Sequence, residues 1–275
     1  MSDGGDGGET GVAPVWADGE AYEKFMGQWS RLVGAEFLRW LAAAPGLAWL
    51  EVGCGTGAFT EIVLRDAAPC RFVALDPSAA QLVVARRRTA EAAVAYGTGD
   101  ALALPAAADA FDIAVSALVL NFVADPARMA AELARVVRPG GTVALYVWDF
   151  AGRRPVTQHI AAAIAARDPQ AARRAAAGQG FDTTGQKFLA RLFAGAGLRA
   201  VETRAIDIAV TFRDFAAYWA ANTEFASPVG QFVGALPPAE RARFAEEVRQ
   251  RLPIAADGSI AYTARANAVR GTVAA

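Results

Sequence analysis

The sequence has 275 residues, 54% of them apolar, which suffices for one elaborated α/β domain with a single substantial core. Lys and Arg number 27 against 28 Asp and Glu, so a formal net charge of −1 leaves no excess positive charge to neutralise a nucleic-acid backbone or an anionic membrane. Much of the apolar fraction is alanine, and no apolar run reaches the roughly 18 uncharged residues of a membrane span.

Residues 1–14, MSDGGDGGETGVAP, carry three acids, no base and no apolar h-region, so they read as a disordered acidic tail and not as a signal peptide. Residues 15–275 then form one domain. Apolar and aromatic positions at three and four spacing in 18–44 (Tyr22, Phe25, Met26, Trp29, Leu32, Val33, Phe37, Trp40, Leu41) predict one or two cover helices, stopped at Pro45-Gly46. From there strand-like and helical runs alternate. Strands are expected at Leu47–Val52, Arg71–Leu75, Ala93–Thr98, Ile113–Ala117 and Thr142–Trp148, with helices at Ala58–Asp66, Pro77–Ala93 and Pro126–Val137 between them. Such alternation means βαβ units and a doubly wound, mostly parallel sheet. The continuous apolar run IAVSALVL agrees with burial on both faces.

Beyond residue 150 an Ala/Arg-rich helical region (155–178) precedes a helix near 184–195, a strand at 198–212, a helical insertion over 213–256 and a final strand at 259–269. The sheet is thus expected to have seven strands with the last antiparallel. Cys54 and Cys70 are too few and too far apart for a disulfide framework, which fits reduced thiols in the cytoplasm. The single histidine, His159, excludes a site built from several imidazoles, and no metal is expected.

The sharpest motif is Glu51-Val52-Gly53-Cys54-Gly55-Thr56-Gly57-Ala58, a strand running into a turn without side chains and then a helix N-terminus. A small polar ligand could approach the backbone there. Gly53, Gly55 and Ala58 also satisfy the G-x-G-x-x-G/A dinucleotide fingerprint, with Asp76 about 20 residues on, so the turn alone leaves the choice of cofactor open.

The surroundings of the turn narrow that choice. Glu51 stands two residues before the first glycine, and Val73-Ala74-Leu75-Asp76-Pro77-Ser78, Gly99-Asp100-Ala101, Phe111-Asp112 and Arg138-Pro139-Gly140-Gly141 follow in order. With these motifs the sequence resembles the class I S-adenosylmethionine-dependent methyltransferases, in particular the small-molecule, type 11-like enzymes. The resemblance is strong over about residues 20–150 and extends to general layout over 180–270, which makes 47–150 the cofactor-binding half.

That resemblance implies a set of S-adenosylmethionine contacts: Glu51, Gly53, Cys54, Gly55 and Gly57 in the turn; Asp76, Pro77 and Gln81 after the second strand; Gly99, Asp100 and Ala101 after the third; Ser116 and Ala117 at the end of the fourth; and Tyr22, Trp29 and Arg31 from the cover. It assigns Asp76 to the ribose hydroxyls, Asp100 to the adenine amino group, Glu51 to the glycine loop and the methionine end, and Arg31 to the methionine carboxylate. Asp76-Pro77-Ser78 also reads as a plain helix start, and Tyr22, Met26 and Trp29 also read as a core-facing stripe.

Methyl transfer needs alignment above all, and a general base only where the acceptor must lose a proton. His159 is the candidate base, followed by Asp149, Tyr218 and Glu224; where some O-methyltransferases of this fold carry a His-Asp-Trp base, this chain has Asn121 and Phe122. No Asn-Pro-Pro-Tyr motif points to a nucleobase amine. Phe212, Phe215, Tyr218, Trp219, Phe225 and Phe232 either wall an apolar acceptor pocket or close the insertion's own core.

The expected function is therefore methyl transfer to a small hydrophobic or aromatic acceptor, by a chain that works alone or as a homodimer, without nucleic acid or membrane. Two alternatives stand beside it. One is a fold member that binds the cofactor without methyl transfer, as a cyclisation or pericyclic catalyst would. The other is an NAD(P)-dependent oxidoreductase, against which stands the lack of a Tyr-x-x-x-Lys pair in a chain whose only lysines are Lys24 and Lys187.

Overall fold

A computed structural model describes residues 27–89, 93–149, 155–170, 184–223 and 228–275. The acidic tail, the first part of the cover with Tyr22, the 171–183 stretch, Glu224 and Phe225 lie outside the described residues. Helix α1 (Gln28–Leu41) buries Trp29, Val33, Phe37, Leu38 and Leu41 along one stripe and stops where Ala42 turns left-handed (φ 49°), ahead of Pro45.

Strand β1 (Ala48–Val52) leads into α2 (Ala58–Asp66), β2 (Arg71–Leu75), α3 (Ala79–Arg88), β3 (Val94–Gly97) and β4 (Phe111–Ala117). Helix α4 (Pro126–Val136), capped by Asp125 with proline in its first turn, passes directly into β5 (Val137–Trp148). Then come α5 (Pro155–Arg167), α6 (Gln186–Gly195), β6 (Arg199–Phe212), the helices α7 (Phe215–Thr223), α8 (Pro228–Gly234) and α9 (Pro238–Arg249), and β7 (Ile260–Thr272).

The seven strands form one sheet in the order β3-β2-β1-β4-β5-β7-β6, all parallel except β7, which runs against both β5 and β6. The doubly wound sheet, its antiparallel last strand and the helical insertion before it match the reading from sequence. Strand β1 is buried on both faces: Trp49 belongs to the core under α1 and α2 with Phe37, Phe59 and Tyr146, whereas Leu50 belongs to the core under α4 and α6 with Met129, Leu133 and Phe193.

Several boundaries differ from expectation: β4 opens at Phe111, α3 ends at Arg88 and β7 runs on to Thr272. Strand β5 begins at Val137, not Thr142, because Pro139-Gly140-Gly141 stays within the strand as an irregularity in its pairing with β4. Gly141 permits this: a Cβ there would lie 2.6 Å from the Asp112 carbonyl oxygen. No helix among the described residues is long and apolar enough to cross a membrane.

Candidate functional site

A cavity of about 310 Å³ opens at the carboxyl ends of β1, β2 and β4. This is where the strand order reverses between β1 and β4, and ligand crevices in open α/β sheets form at that point.

Its floor is the glycine turn. Gly53, Gly55 and Gly57 have φ of +77°, +55° and +81°, and Gly53 N–H and Cys54 N–H both donate to the Leu75 carbonyl, at 2.7 and 3.0 Å. At Gly53 a Cβ would stand 2.3 Å from Val119 Cγ2, so glycine is required by its neighbour as well as by its backbone. Gly57 has a different task. A Cβ there would lie 3.2 Å from Ala85 Cα and Cβ, so this glycine lets α2 and α3 approach each other and is not a cavity-lining residue.

Asp76 is buried at the end of β2, beside the turn. Gly55 N–H donates to its Oδ2 and Ser78 N–H to its Oδ1, each at 2.8 Å. Each oxygen keeps a further acceptor position, which suits a diol. Burial raises the Asp76 pKa above the usual carboxylate value, against the pull of the two backbone donors. The N-cap of α3 is Ser78, whose hydroxyl accepts from Gln81 N–H, so Asp76 is not spent on capping that helix.

Glu51 is the most constrained acid of the site. It is 1% exposed, Thr60 Oγ1 donates to its Oε2 at 2.5 Å, and its Oε1 has no hydrogen-bond partner in the protein. Burial, with help from the neighbouring Asp76 charge, pushes its pKa up to about 7, the Thr60 hydrogen bond acting in the opposite direction. Burial also raises the pKa of the Cys54 thiol, so Cys54 is a packing residue and not a thiolate.

The third acid, Asp100, turns the loop after β3 by accepting Leu102 N–H at 2.9 Å. A polar cluster on α4 holds that loop in place. Glu132 accepts Leu104 N–H at 2.9 Å, Arg135 donates to the Leu104 and Ala106 carbonyls, and Arg128 donates to that of Leu102. The Arg135 guanidinium beside Glu132 keeps that carboxyl down at about 2.

The opposite wall is apolar. Leu118 is left-handed (φ 61°), an unusual conformation for a leucine, and its N–H donates to the Tyr146 carbonyl at 2.9 Å. This bend carries the chain out of β4 into a single 3₁₀ turn, Leu120–Phe122, and leaves Phe122 55% exposed at the cavity mouth.

Of the residues singled out from sequence, Glu51, Gly53, Cys54, Gly55, Asp76, Pro77, Gln81, Gly99, Asp100, Ala101 and Ala117 line this one cavity. Others do not. Trp29 packs edge-on against Phe212, with centroids 5.5 Å apart, and Arg31 lies a residue further round α1 from the residues that line the cavity, Gly27 and Ser30. The Ser116 hydroxyl points into the sheet and donates to the Val52 carbonyl at 2.8 Å.

The candidate bases also stand elsewhere. Neither His159 nor Asp149 lines the cavity; burial and Arg251 lower the His159 pKa, and its ring lies 6.2 Å from that of Tyr262. Tyr218 is buried, donates its hydroxyl to the Val156 carbonyl at 2.8 Å and has its pKa raised by burial. The described insertion aromatics take the second of their two readings: Phe212, Phe215, Tyr218, Trp219 and Phe232 pack on one another or on Phe244, and none lines the cavity.

Sequence reading missed Ser30, Thr56, Phe59, Tyr146 and the 118–124 wall among the lining residues. The 3.6 period of α1 could have pointed to Ser30, a polar position on its buried stripe. Among the described residues no group of three or more His, Cys, Asp or Glu side chains converges as a metal would require.

Residues 50–145 match the family described as methyltransferase domain. This stretch, from Leu50 in β1 to Leu145 in β5, is similar to a methyltransferase domain. Its curated relatives include a malonyl-[acyl-carrier protein] O-methyltransferase of Serratia marcescens, 40% identical over 113 residues that are 41% of this chain and 43% of the relative. Another is a ubiquinone/menaquinone biosynthesis C-methyltransferase of Roseobacter denitrificans, 36% identical over 124 residues, 44% of this chain and 49% of the relative. In both cases the matched stretch spans less than half the relative's length. The fold matches phosphoethanolamine N-methyltransferase 2 of Haemonchus contortus in complex with S-adenosyl-L-methionine, with a TM-score of 0.60 at 14% identity, over 94% of this chain and 57% of that one.

Proposed function

We propose that this chain transfers the methyl group of S-adenosylmethionine to a small organic acceptor with a hydrophobic or aromatic surface. One observation carries the reading: the glycine turn, Asp76 and Asp100 meet in one cavity beside a buried Glu51 whose Oε1 lacks a partner. The donor set fits the cofactor, with Asp76 for the ribose hydroxyls, the 99–102 loop and Asp100 for the adenine, and the turn, Glu51 and Ser30 for the methionine end. The solved neighbour holds the same cofactor, and the proteins similar to this chain are named as O-, C- and N-methyltransferases, so the similarity leaves the acceptor atom open.

When bound, S-adenosylmethionine supplies an electrophilic methyl group on a sulfonium. The chain's own part is to bind, align and exclude water. Leu102, Leu118, Val119 and Phe122 form the apolar wall at the mouth, where an acceptor would lie against the cofactor. No Lys, Arg or His is among the described lining residues, and the means of acceleration assigned to the chain is alignment in a dry pocket. The acceptor is expected to bring a group that is nucleophilic at neutral pH or loses its proton readily.

The test is a mass-shift screen of small acceptors with S-adenosylmethionine, following S-adenosylhomocysteine as co-product. A methylated product with stoichiometric S-adenosylhomocysteine is expected, and Phe122→Ala should raise the acceptor KM more than it lowers kcat. Conversion of an acceptor without formation of S-adenosylhomocysteine would instead establish a cyclase-like role and refute methyl transfer.

A further inference from the structure

Helix α4 and its cap carry Asp125, Arg128, Glu132 and Arg135 at spacings of three, four and three, which sets the charges along one face, while Met129, Leu133 and Val136 form the buried stripe. A charged row on a helix is ordinarily a solvated face. Here it meets the 100–106 loop, and its bonds change in character along the helix. At the far end, buried Glu132 accepts Leu104 N–H at 2.9 Å and two Arg135 donors at 2.8 Å, while Arg135 also reaches the Leu104 and Ala106 carbonyls at 3.2 and 2.9 Å. At the end nearer the cavity stands Arg128, whose side chain is 58% exposed and whose Nε donates to the Leu102 carbonyl at 3.0 Å.

Leu102 lines the cavity together with Gly99, Asp100 and Ala101. Phe122, Val123 and Ala124 line it as well, and they run straight into Asp125, whose side chain accepts Arg128 N–H at 2.9 Å and starts α4. Arg128 thus engages both sides: its guanidinium holds the loop, and its amide holds the residue that ends the wall. Apolar packing follows the same route, since Leu102, Val119 and Val123 pack against one core that contains Leu104, Leu120 and Met129. The wall is a short 3₁₀ turn in which Phe122 N–H donates to the Val119 carbonyl at 2.8 Å and Val123 N–H to that of Leu120 at 3.3 Å, bonds of poorer geometry than those of an α-helix.

Resting on the cofactor reading above, we propose that Arg128 is a positioning residue that couples the 99–102 loop to the 119–125 wall, so that the acceptor surface is completed only when the adenosine end of the cavity is filled. A ligand seated on the loop fixes Leu102, and through Arg128 it fixes the first turn of α4 and the wall that leads into it. The ordering paid for by the first ligand is then no longer charged to the second. The acceptor therefore binds the cofactor complex more tightly than the empty chain, and by linkage it tightens the cofactor in return.

The experiment is amide hydrogen exchange of the full chain at saturating 5′-methylthioadenosine, which carries the adenine and ribose but neither the amino acid nor the sulfonium. In the native chain, exchange at residues 119–125 should slow by about fivefold or more, the low end of coupling between sites, beside protection at 76–81 and 99–103. Arg128→Met keeps the apolar stem and removes the donors; it should retain the protection at 76–81 and lose that at 119–125. Arg128→Lys, which restores a donor, should recover most of it. A role in the fold alone would speed exchange at 119–125 equally with and without ligand and leave the ligand-dependent difference intact. No protection at 119–125 in the native chain, or protection that survives Arg128→Met, would overturn the proposal, and the native-chain result stands by itself should Arg128→Met not fold. Failure of S-adenosylhomocysteine to protect residues 53–58 and 76–81 would instead refute the cofactor reading and the inference with it.

Discussion

At the carboxyl ends of β1, β2 and β4 the backbone turns left-handed at Gly53, Gly55, Gly57 and Leu118, and buried Glu51 Oε1 and Ser30 Oγ face a cavity without partners. At the other end of the sheet, β6 alternates buried and exposed residues from Ile206 to Phe212, and Tyr218, Trp219, Phe232 and Phe244 fill the space beneath the insertion. No described residue from 201 to 257 has a positive φ. Left-handed backbone thus concentrates at the cavity and the larger ring cluster beneath the insertion, while unpartnered buried polar atoms occur in both, Asn222 Oδ1 and Tyr262 Oη in the second. Proteins keep the first kind of region for ligands and the second for stability. Stability and binding should therefore separate along the sheet.

The largest effect expected from breaking that division is in the packed half. Phe244 is fully buried, against Trp219 at 6.1 Å and Phe232 at 5.6 Å, so Phe244→Ala should lower unfolding free energy by about 3–5 kcal/mol in urea titrations. Where the variant remains folded, its Kd for S-adenosylmethionine should stay within about twofold of the native chain. A parallel loss of affinity would mean that the halves are coupled.

Next in size, Asp76→Ala should weaken cofactor binding on the order of 100-fold, the scale of two lost hydrogen bonds to a charged group. Calorimetry would measure this, and unchanged affinity would remove Asp76 from the site. Gly53→Ala should destabilise the fold by about 2 kcal/mol, through its positive φ and its approach to Val119. Adding Val119→Ala should recover the steric part only, so a double-mutant cycle sharpens the division between strain and clash.

The smallest effect follows from the sign of the Glu51 shift. An acid whose folded pKa lies above its unfolded value favours the native state most below about pH 4.5, and loses that contribution progressively as pH rises to about 7, when it must ionise in a buried site. Glu51→Gln should accordingly raise Tm at pH 8 by a few degrees and change it little at pH 5, while weakening binding. A higher Tm at pH 5 alone would reverse the sign and contradict a buried, cavity-facing acid.

Much of this division was legible in the sequence. Strand and helix alternation gave the parallel sheet because β1 and β4 are apolar on consecutive residues, and the motif order located most of the cavity lining. The insertion aromatics were ambiguous because a pocket wall and a small core demand the same residue types; only their mutual ring contacts decide it. Trp29 and Arg31 fall outside the cavity lining for a related reason. A helix periodicity identifies a buried face, but adjacent residues on α1 lie about 100° apart, and which of them meets the cavity depends on how the helix seats against α2, β6 and β7. Ser116 shows a third limit: a serine at a strand end can serve the ligand or the neighbouring strand, and here its hydroxyl is used by Val52. The Leu118 bend has no sequence signature, since leucine rarely adopts that conformation.

Hydrogen exchange of the full chain with and without S-adenosylmethionine tests the central claim most directly, because it reports where along the sheet the ligand acts. Protection is predicted at residues 53–58, 76–81 and 99–103, with the amides of α7 and α9 unchanged. No protection, or protection confined to α7–α9, would contradict the account.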